Sequence, residues 1–305
     1  MNVLEVRGLT KRYGRNLAVN DLTFSLQQGQ IFGFLGPNGS GKTTTLGMIF
    51  GVIHPTLGDI LLFGKTNREA LAERRLGGTL EQPNLYPYLT GRENLHVAAA
   101  IKGLGDEYIE PALREVDLFE AADQEAKTYS LGMKQRLALA AAMLGDPEFL
   151  ILDEPTNGLD PEGMREIREL ILRLSQSGRT ILISTHLLDE VERMCTHVAI
   201  INRGQLQRIG AVAELTGSNS CFKLSADNAL QLFEAVSQYE FARNVRIKGG
   251  SVFLELVGGT PALLNRYLVA RGIFVDELTN QRLTLEQAFF AATGPESINT
   301  AGVAS

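Results

Sequence analysis

An α/β fold follows from three stretches of this chain. Ile31 Phe32 Gly33 Phe34 Leu35 is a short apolar run that leads into the glycine-rich loop Gly36 to Thr43 and then into a helix start at Thr44 to Ile49. Further on, the apolar runs Phe149 to Leu152 and Thr180 to Ile183 enclose Pro161 to Ser177, in which Ile167, Leu170, Ile171 and Leu174 repeat at i, i+3, i+4 and i+7. Strand, helix, strand is a parallel crossover, and strands without polar alternation belong to a sheet covered on both faces. The last third, residues 222–278, reads strand, helix, strand, strand, helix, strand, the order of a small ferredoxin-like α+β domain.

Composition sets the frame. The 305 residues accommodate two domains, at roughly 100–200 residues each. A hydrophobic content of 44% with 21% charged residues is that of a globular protein, neither disordered nor fibrous. The net charge of −6 leaves no basic footprint, so no nucleic-acid partner is expected. Cys195 and Cys221 form no C-x-x-C pair and read as reduced thiols of a cytosolic protein; His54, His96, His186 and His197 have no metal-ligand spacing. Met1 to Arg7 lacks the layout of a signal peptide, and no apolar stretch reaches the roughly 20 residues that cross a bilayer. A pore, if this protein serves one, is expected from another chain.

In chain order, Val3 to Val6, Leu17 to Val19 and Leu22 to Leu26 read as three short strands ahead of the glycine loop. Tyr13 is the aromatic of the first turn region, where a ring can stack on a purine or pack as a structural residue. Asp59 to Gly64 and Leu76 to Pro83 read as further strands, the second running into a loop. From about residue 86 to 146 the spacing turns helical, over Asn94 to Lys102, Ile109 to Val116 and Ser130 to Leu144, which reads as an insertion within the α/β core. Gly217 to Ser220 reads as a linker. Beyond it come strands at Phe222 to Ser225, Val245 to Lys248, Val252 to Val257 and Ile273 to Leu278, helices at Ala229 to Ser237 and Pro261 to Ala270, a last helix at Leu285 to Ala292, and a frayed tail.

The chemistry is concentrated in a few places. Gly36 Pro37 Asn38 Gly39 Ser40 Gly41 Lys42 Thr43 matches G-x-x-x-x-G-K-[ST] and has the strand before it and the helix after it that the motif requires. Such a loop aims successive backbone N–H groups, up to Thr44, at one phosphate chain. Lys42 is expected on the β- and γ-phosphates of ATP, and the Thr43 hydroxyl on the bridging Mg²⁺. Asp153 and Glu154 follow the buried run Leu150 Ile151 Leu152, at the strand edge where doubly wound sheets build sites. Neighbouring strand residues point to different sides, so Asp153 is assigned to Mg²⁺ and Glu154 to deprotonating the attacking water. His186 follows the strand ending at Ser184 and can hydrogen-bond a γ-phosphate.

Further motifs carry a family resemblance over residues 1 to about 215. Tyr129 Ser130 Leu131 Gly132 Met133 Lys134 Gln135 Arg136 resembles the signature motif of ABC-type ATPases, Asn157 Gly158 Leu159 Asp160 their D-loop, Ile183 to His186 their switch, and Tyr13 their adenine-stacking aromatic. The resemblance implies a P-loop NTPase core with an antiparallel β subdomain and a helical insertion over residues 1–216, a small accessory domain over 217–293, and a flexible tail over 294–305. It further implies that two such domains pair head to tail, so that Ser130 and Gly132 reach the partner's γ-phosphate. Two departures stand out. The signature reads Ser Leu Gly Met where Ser Gly Gly Gln is commonest, a variant similar to that of bacterial exporters with separate membrane subunits. Glu81 takes the metal-touching position usually held by glutamine, similar to the antibiotic and lantibiotic export and self-immunity branch, unless a one-residue slip places Gln82 there. The resemblance thus implies the motor subunit of an exporter, held at the inner face of the cytoplasmic membrane by an integral membrane permease. The alternative is a soluble ABC ATPase acting on ribosomes or DNA. Such relatives fuse two motor domains or carry a long coiled-coil insertion, and this chain shows one phosphate loop and neither feature.

Overall fold

The computed structural model describes residues 1–80, 84–216 and 221–281, together with Leu285 and Phe289. The chain divides into two compact units, Met1–Val212 and Ala213–Ala291. The expected linker at 217–220 and the expected tail lie outside the described residues, as does most of the last expected helix, of which Leu285 and Phe289 are helical and buried.

The first unit opens with β1 (Asn2–Tyr13) and β2 (Asn16–Gln27), then β3 (Ile31–Leu35), α1 (Lys42–Ile49), β4 (Leu57–Leu62), β5 (Lys65–Thr66), α2 (Asn67–Ala72) and β6 (Leu76–Thr79). The three short strands expected at the start are therefore two long antiparallel ones. Gly8 (φ 58°) and Asp21 (φ 52°) adopt left-handed backbone inside the strands, and the register slips between Val6 and Leu9. Turn-forming residues are thus absorbed as bulges, and the ladder continues past them. The Gly8 N–H donates to Thr23 Oγ1 at 2.9 Å and the Asp21 N–H to Thr10 Oγ1 at 3.1 Å, pairing groups that the bulges remove from the ladder. These strands form a four-stranded sheet in the order β2-β1-β4-β5, every pairing of which is antiparallel.

The helical stretch follows: α3 (Gly91–Ile101), α4 (Ile109–Glu115) and α5 (Leu131–Met143). Thr90 and Glu93 close a capping box on α3, and the Ser130 side chain caps α5 by accepting from the Met133 N–H at 3.2 Å. The core resumes with β7 (Phe149–Asp153), α6 (Pro161–Gln176), β8 (Thr180–Thr185), α7 (Leu188–Met194), β9 (His197–Asn202) and β10 (Gln205–Ala211). The stripe Ile167, Leu170, Ile171 and Leu174 is buried as its spacing requires, and Asp160 caps α6 by accepting from the Gly163 N–H at 2.9 Å. The main sheet runs β10-β9-β3-β8-β7-β6 and is parallel except at β10. Strands β3, β7 and β8 are buried at every residue, which is why their sequences carry no alternation. Elements α7, β9 and β10 go beyond the sequence reading. β10 is a mostly exposed edge strand without an apolar pattern, and its place is set by pairing with β9.

The second unit continues from α8 (Val212–Leu215), which spans the boundary, through β11 (Cys221–Ser225), α9 (Ala229–Ser237), β12 (Ala242–Lys248), β13 (Ser251–Leu256), α10 (Pro261–Val269) and β14 (Glu277–Gln281). Its antiparallel sheet runs β12-β13-β11-β14, the ferredoxin-like arrangement, around a core of its own that includes Phe222, Leu224, Val236, Leu254 and Leu268. The last strand was expected at Ile273 to Leu278 and starts four residues later. The Ile273 N–H instead donates to Leu268 O at 3.0 Å after Gly272 turns at φ 73°, so Ile273 closes the end of α10 and enters the core.

Candidate functional site

The glycine loop joins β3, the middle of the main sheet, to α1 and is shaped by contacts that exclude a side chain. A Cβ at Gly36 would lie 2.5 Å from Ile201 O, and one at Gly41 would lie 2.6 Å from Ala18 O, where φ is already 102°. Gly41 is also the N-cap of α1 and offers no capping side chain, so the first N–H groups of the helix stay available to an anion. The loop opens on a cleft of about 560 Å³ lined by Tyr13, Asn38, Gly39, Lys42, Thr43 and Thr44, with Glu154 and Arg203 among its remaining walls. That is the size of a small-molecule ligand site.

Six side chains from three separate stretches of the sequence converge here. Lys42 is 6% exposed; its Nζ donates to Gly36 O at 2.8 Å and stands 3.4 Å from Glu154 Oε1. Glu154 Oε2 lies 2.9 Å from His186 Nδ1, so the carboxylate is held between a cation and an imidazole. Glu154 takes a left-handed backbone, φ 49°, just past the end of β7, and its N–H donates to Ser184 O at 3.0 Å on the neighbouring strand. Such backbone strain is kept where surrounding structure holds it. It turns Glu154 toward Lys42 while Asp153 stays buried on β7. The Thr43 hydroxyl donates to Asp153 Oδ2 at 3.1 Å, and the Ser184 hydroxyl donates to the other carboxylate oxygen of Asp153. Thr43 and Asp153 thus offer two hard oxygen ligands side by side, which fits Mg²⁺. Lys42 and the helix terminus offer the donors that a phosphate accepts from, and Glu154 offers a carboxylate that can accept a proton.

The rest of the predicted set divides. Tyr13 is 48% exposed at the cleft, with Lys11 Nζ 4.9 Å from its ring centre. Ser130 and Gly132 do not line this cleft; they sit at the start of α5, where a Cβ at Gly132 would meet no described atom closer than 3.9 Å. Glu81 and Gln82 lie outside the described residues. Ser184, Asn16 and Arg203 were missed. Ser184 lies within the switch motif but carries no signal of its own, while Asn16 and Arg203 reach the cleft only because β2 and the β9–β10 turn pack beside the loop. Cys195 is buried, and burial pushes its thiol up to about 12, an inert core residue.

The model of a family described as "ABC transporter" matches residues 19–157. A bacitracin transport ATP-binding protein of Bacillus licheniformis is 40% identical, over 97% of this chain and 99% of that protein. The chain belongs to the ABC transporter ATP-binding proteins. A Nod factor export ATP-binding protein of Burkholderia orbicola is 36% identical to this ABC ATPase, over 96% of this chain and 97% of that one. A solved nucleotide-free ATP-binding cassette of an ABC transporter superposes with a TM-score of 0.65 at 26% identity, covering 70% of this chain and 93% of that structure. A dimeric cassette in a post-hydrolysis state with ADP and phosphate gives 0.62 at 26% identity, covering 69% and 99%. This ABC ATPase is therefore the ATP-binding and ATP-hydrolysing subunit of a transporter, which implies a membrane partner.

Proposed function

We propose that this ABC ATPase powers export through a separate integral membrane permease, hydrolysing ATP with Mg²⁺ as the head-to-tail partner of a second cassette. One observation carries the catalytic reading: Glu154 is held between Lys42, 3.4 Å away, and His186, 2.9 Å away, beside the Thr43–Asp153 oxygen pair. Lys42 and the N–H groups of the glycine loop and α1, through Thr44, hold the phosphate chain, and Tyr13 stacks on the base. Thr43 and Asp153 would hold Mg²⁺, joined by Glu81 or, with a one-residue slip, by Gln82, and the ion would offset charge on the β- and γ-phosphates. Glu154 takes the proton of the attacking water, and His186 holds the Glu154 carboxylate in line. Ser130 and Gly132, outside their own subunit's cleft, serve the γ-phosphate bound by the partner cassette.

Export is favoured by two relatives of this chain's full length whose names specify bacitracin transport and Nod factor export, and by the signature variant Ser Leu Gly Met. Among the described residues no helix is long and apolar enough to cross a membrane, in keeping with a motor docked on the inner face of the cytoplasmic membrane. Residues 217–293 form its accessory domain. The test is a pull-down of tagged Glu154→Gln protein from native membranes with and without ATP. A polytopic membrane protein in stoichiometric amount is expected, and ribosomal proteins in its place would refute the reading.

A further inference from the structure

Arg203 is a cation of the cleft that the catalytic reading does not use. It lines the same cleft as Tyr13, Asn16, Lys42 and Thr44. It is exposed, and among the described residues it makes no hydrogen bond or ion pair. The lysine of the loop differs in this respect, because Lys42 is already engaged by Gly36 O, Pro37 O and Glu154. Arg203 also holds a left-handed backbone, φ 50°, in the turn between β9 and β10. A non-glycine residue keeps that conformation at a cost.

The turn is tied directly to the phosphate loop. The Gly204 N–H donates to Ser40 O at 2.9 Å, and Gly204 O accepts from the Asn20 N–H at 2.8 Å. Gly204 is packed so closely that a Cβ there would fall 2.6 Å from Ala18 O, the same carbonyl that excludes a Cβ at Gly41. Strand β2, the loop and the turn therefore form one rigid corner, and Arg203 moves with it. This corner meets the loop at Ser40–Gly41 and strand β2 at Ala18 and Asn20, whereas Glu154 and His186 follow the ends of β7 and β8.

We propose that Arg203 is a nucleotide-binding residue that contacts the α-phosphate and ribose end of the bound nucleotide, adding to affinity for ATP and ADP alike without taking part in γ-phosphate chemistry. This rests on the reading of the cleft as the ATP site. A guanidinium pairs with phosphate through directional, charge-assisted hydrogen bonds, and an exposed one is partly screened by salt.

The test is titration of Mg·ATP and Mg·ADP into wild type, Arg203→Ala, Arg203→Lys and Arg203→Gly at low and moderate salt, with melting of each protein alone. Arg203→Ala and Arg203→Gly are expected to weaken ATP and ADP equally, by about tenfold at low salt and less at moderate salt. Arg203→Lys, which keeps the charge without the guanidinium's directional bonds, should recover part of that loss. Glycine relieves the left-handed backbone, so Arg203→Gly should melt no lower than wild type, which separates lost affinity from lost folding. Wild-type affinity for both nucleotides in Arg203→Ala would overturn the proposal, as would a loss confined to ATP. Should wild type itself bind neither nucleotide, the reading of the cleft fails, an outcome distinct from either of those.

Discussion

Replacing Glu154 with glutamine removes one charge and one basic oxygen while keeping the shape of the side chain. In the structure Glu154 Oε1 stands 3.4 Å from Lys42 Nζ and Oε2 stands 2.9 Å from His186 Nδ1. At an effective dielectric of about 20 the lysine–carboxylate attraction is about 5 kcal/mol gross, most of it offset by desolvation of two poorly exposed groups. The amide can still meet His186, so the site keeps its form, and Lys42 is released from an anion that competes with phosphate. ATP affinity is therefore expected to equal or exceed that of wild type. Hydrolysis loses its proton acceptor and should fall by about 10²–10⁴, or about 3–5 kcal/mol of barrier. Single-turnover hydrolysis under saturating Mg·ATP, paired with equilibrium binding, separates the two effects. Hydrolysis within threefold of wild type at undiminished affinity would refute Glu154 as the base. Binding that collapses with hydrolysis would show that the carboxylate holds the loop together.

Two further perturbations probe the scaffold. Gly41→Ala places a Cβ 2.6 Å from Ala18 O at φ 102° and should cost about 2–4 kcal/mol and abolish ATP binding; Gly14→Ala, at φ 57° with nothing within 4 Å, should cost about 1 kcal/mol and leave binding intact. Urea unfolding with and without ATP checks both. Lys102, half-buried at the end of α3, donates to the carbonyls of Ala141, Ala142 and Leu144, and desolvation of its ammonium pushes it down to about 8. The unfolded chain then holds the extra proton between about pH 8 and the ordinary lysine range near 10.5, so stability rises with pH across that window and is flat below it. Urea midpoints at pH 7.5 and 9.5 should favour wild type over Lys102→Met by about 1–2 kcal/mol more at the higher pH, and equal differences at both would refute this.

Much of the site was legible locally because its parts are short, contiguous and chemically specialised. A glycine loop must follow a strand and precede a helix to present its N–H groups, so Gly36 to Thr44 and the flanking β3 and α1 could be read together. Asp153 and Glu154 ended a run too apolar to be anything but buried, and the stripe on α6 specified the face it buries. Helix α9 and its neighbours followed from patterning in the same way, since each element buries its own face against a sheet it helps to build.

What remained hidden depends on contacts between segments with no local signature. Two long strands replaced three short ones because Thr10 and Thr23 pair the backbone groups that the bulges leave free, a bond that exists only once β1 lies on β2. Ser184 became a partner of both Asp153 and Glu154 because β8 pairs in parallel with β7 at that register. Arg203 entered the cleft because Gly204, with no side chain to clash with Ala18, comes close enough to bond Ser40 and Asn20. Sequence spacing dictates which residues share a face of one element, and so it specified the loop, the carboxylates and the helices. Which faces meet is decided by strand order and close backbone approach, and these arise only when the whole sheet assembles.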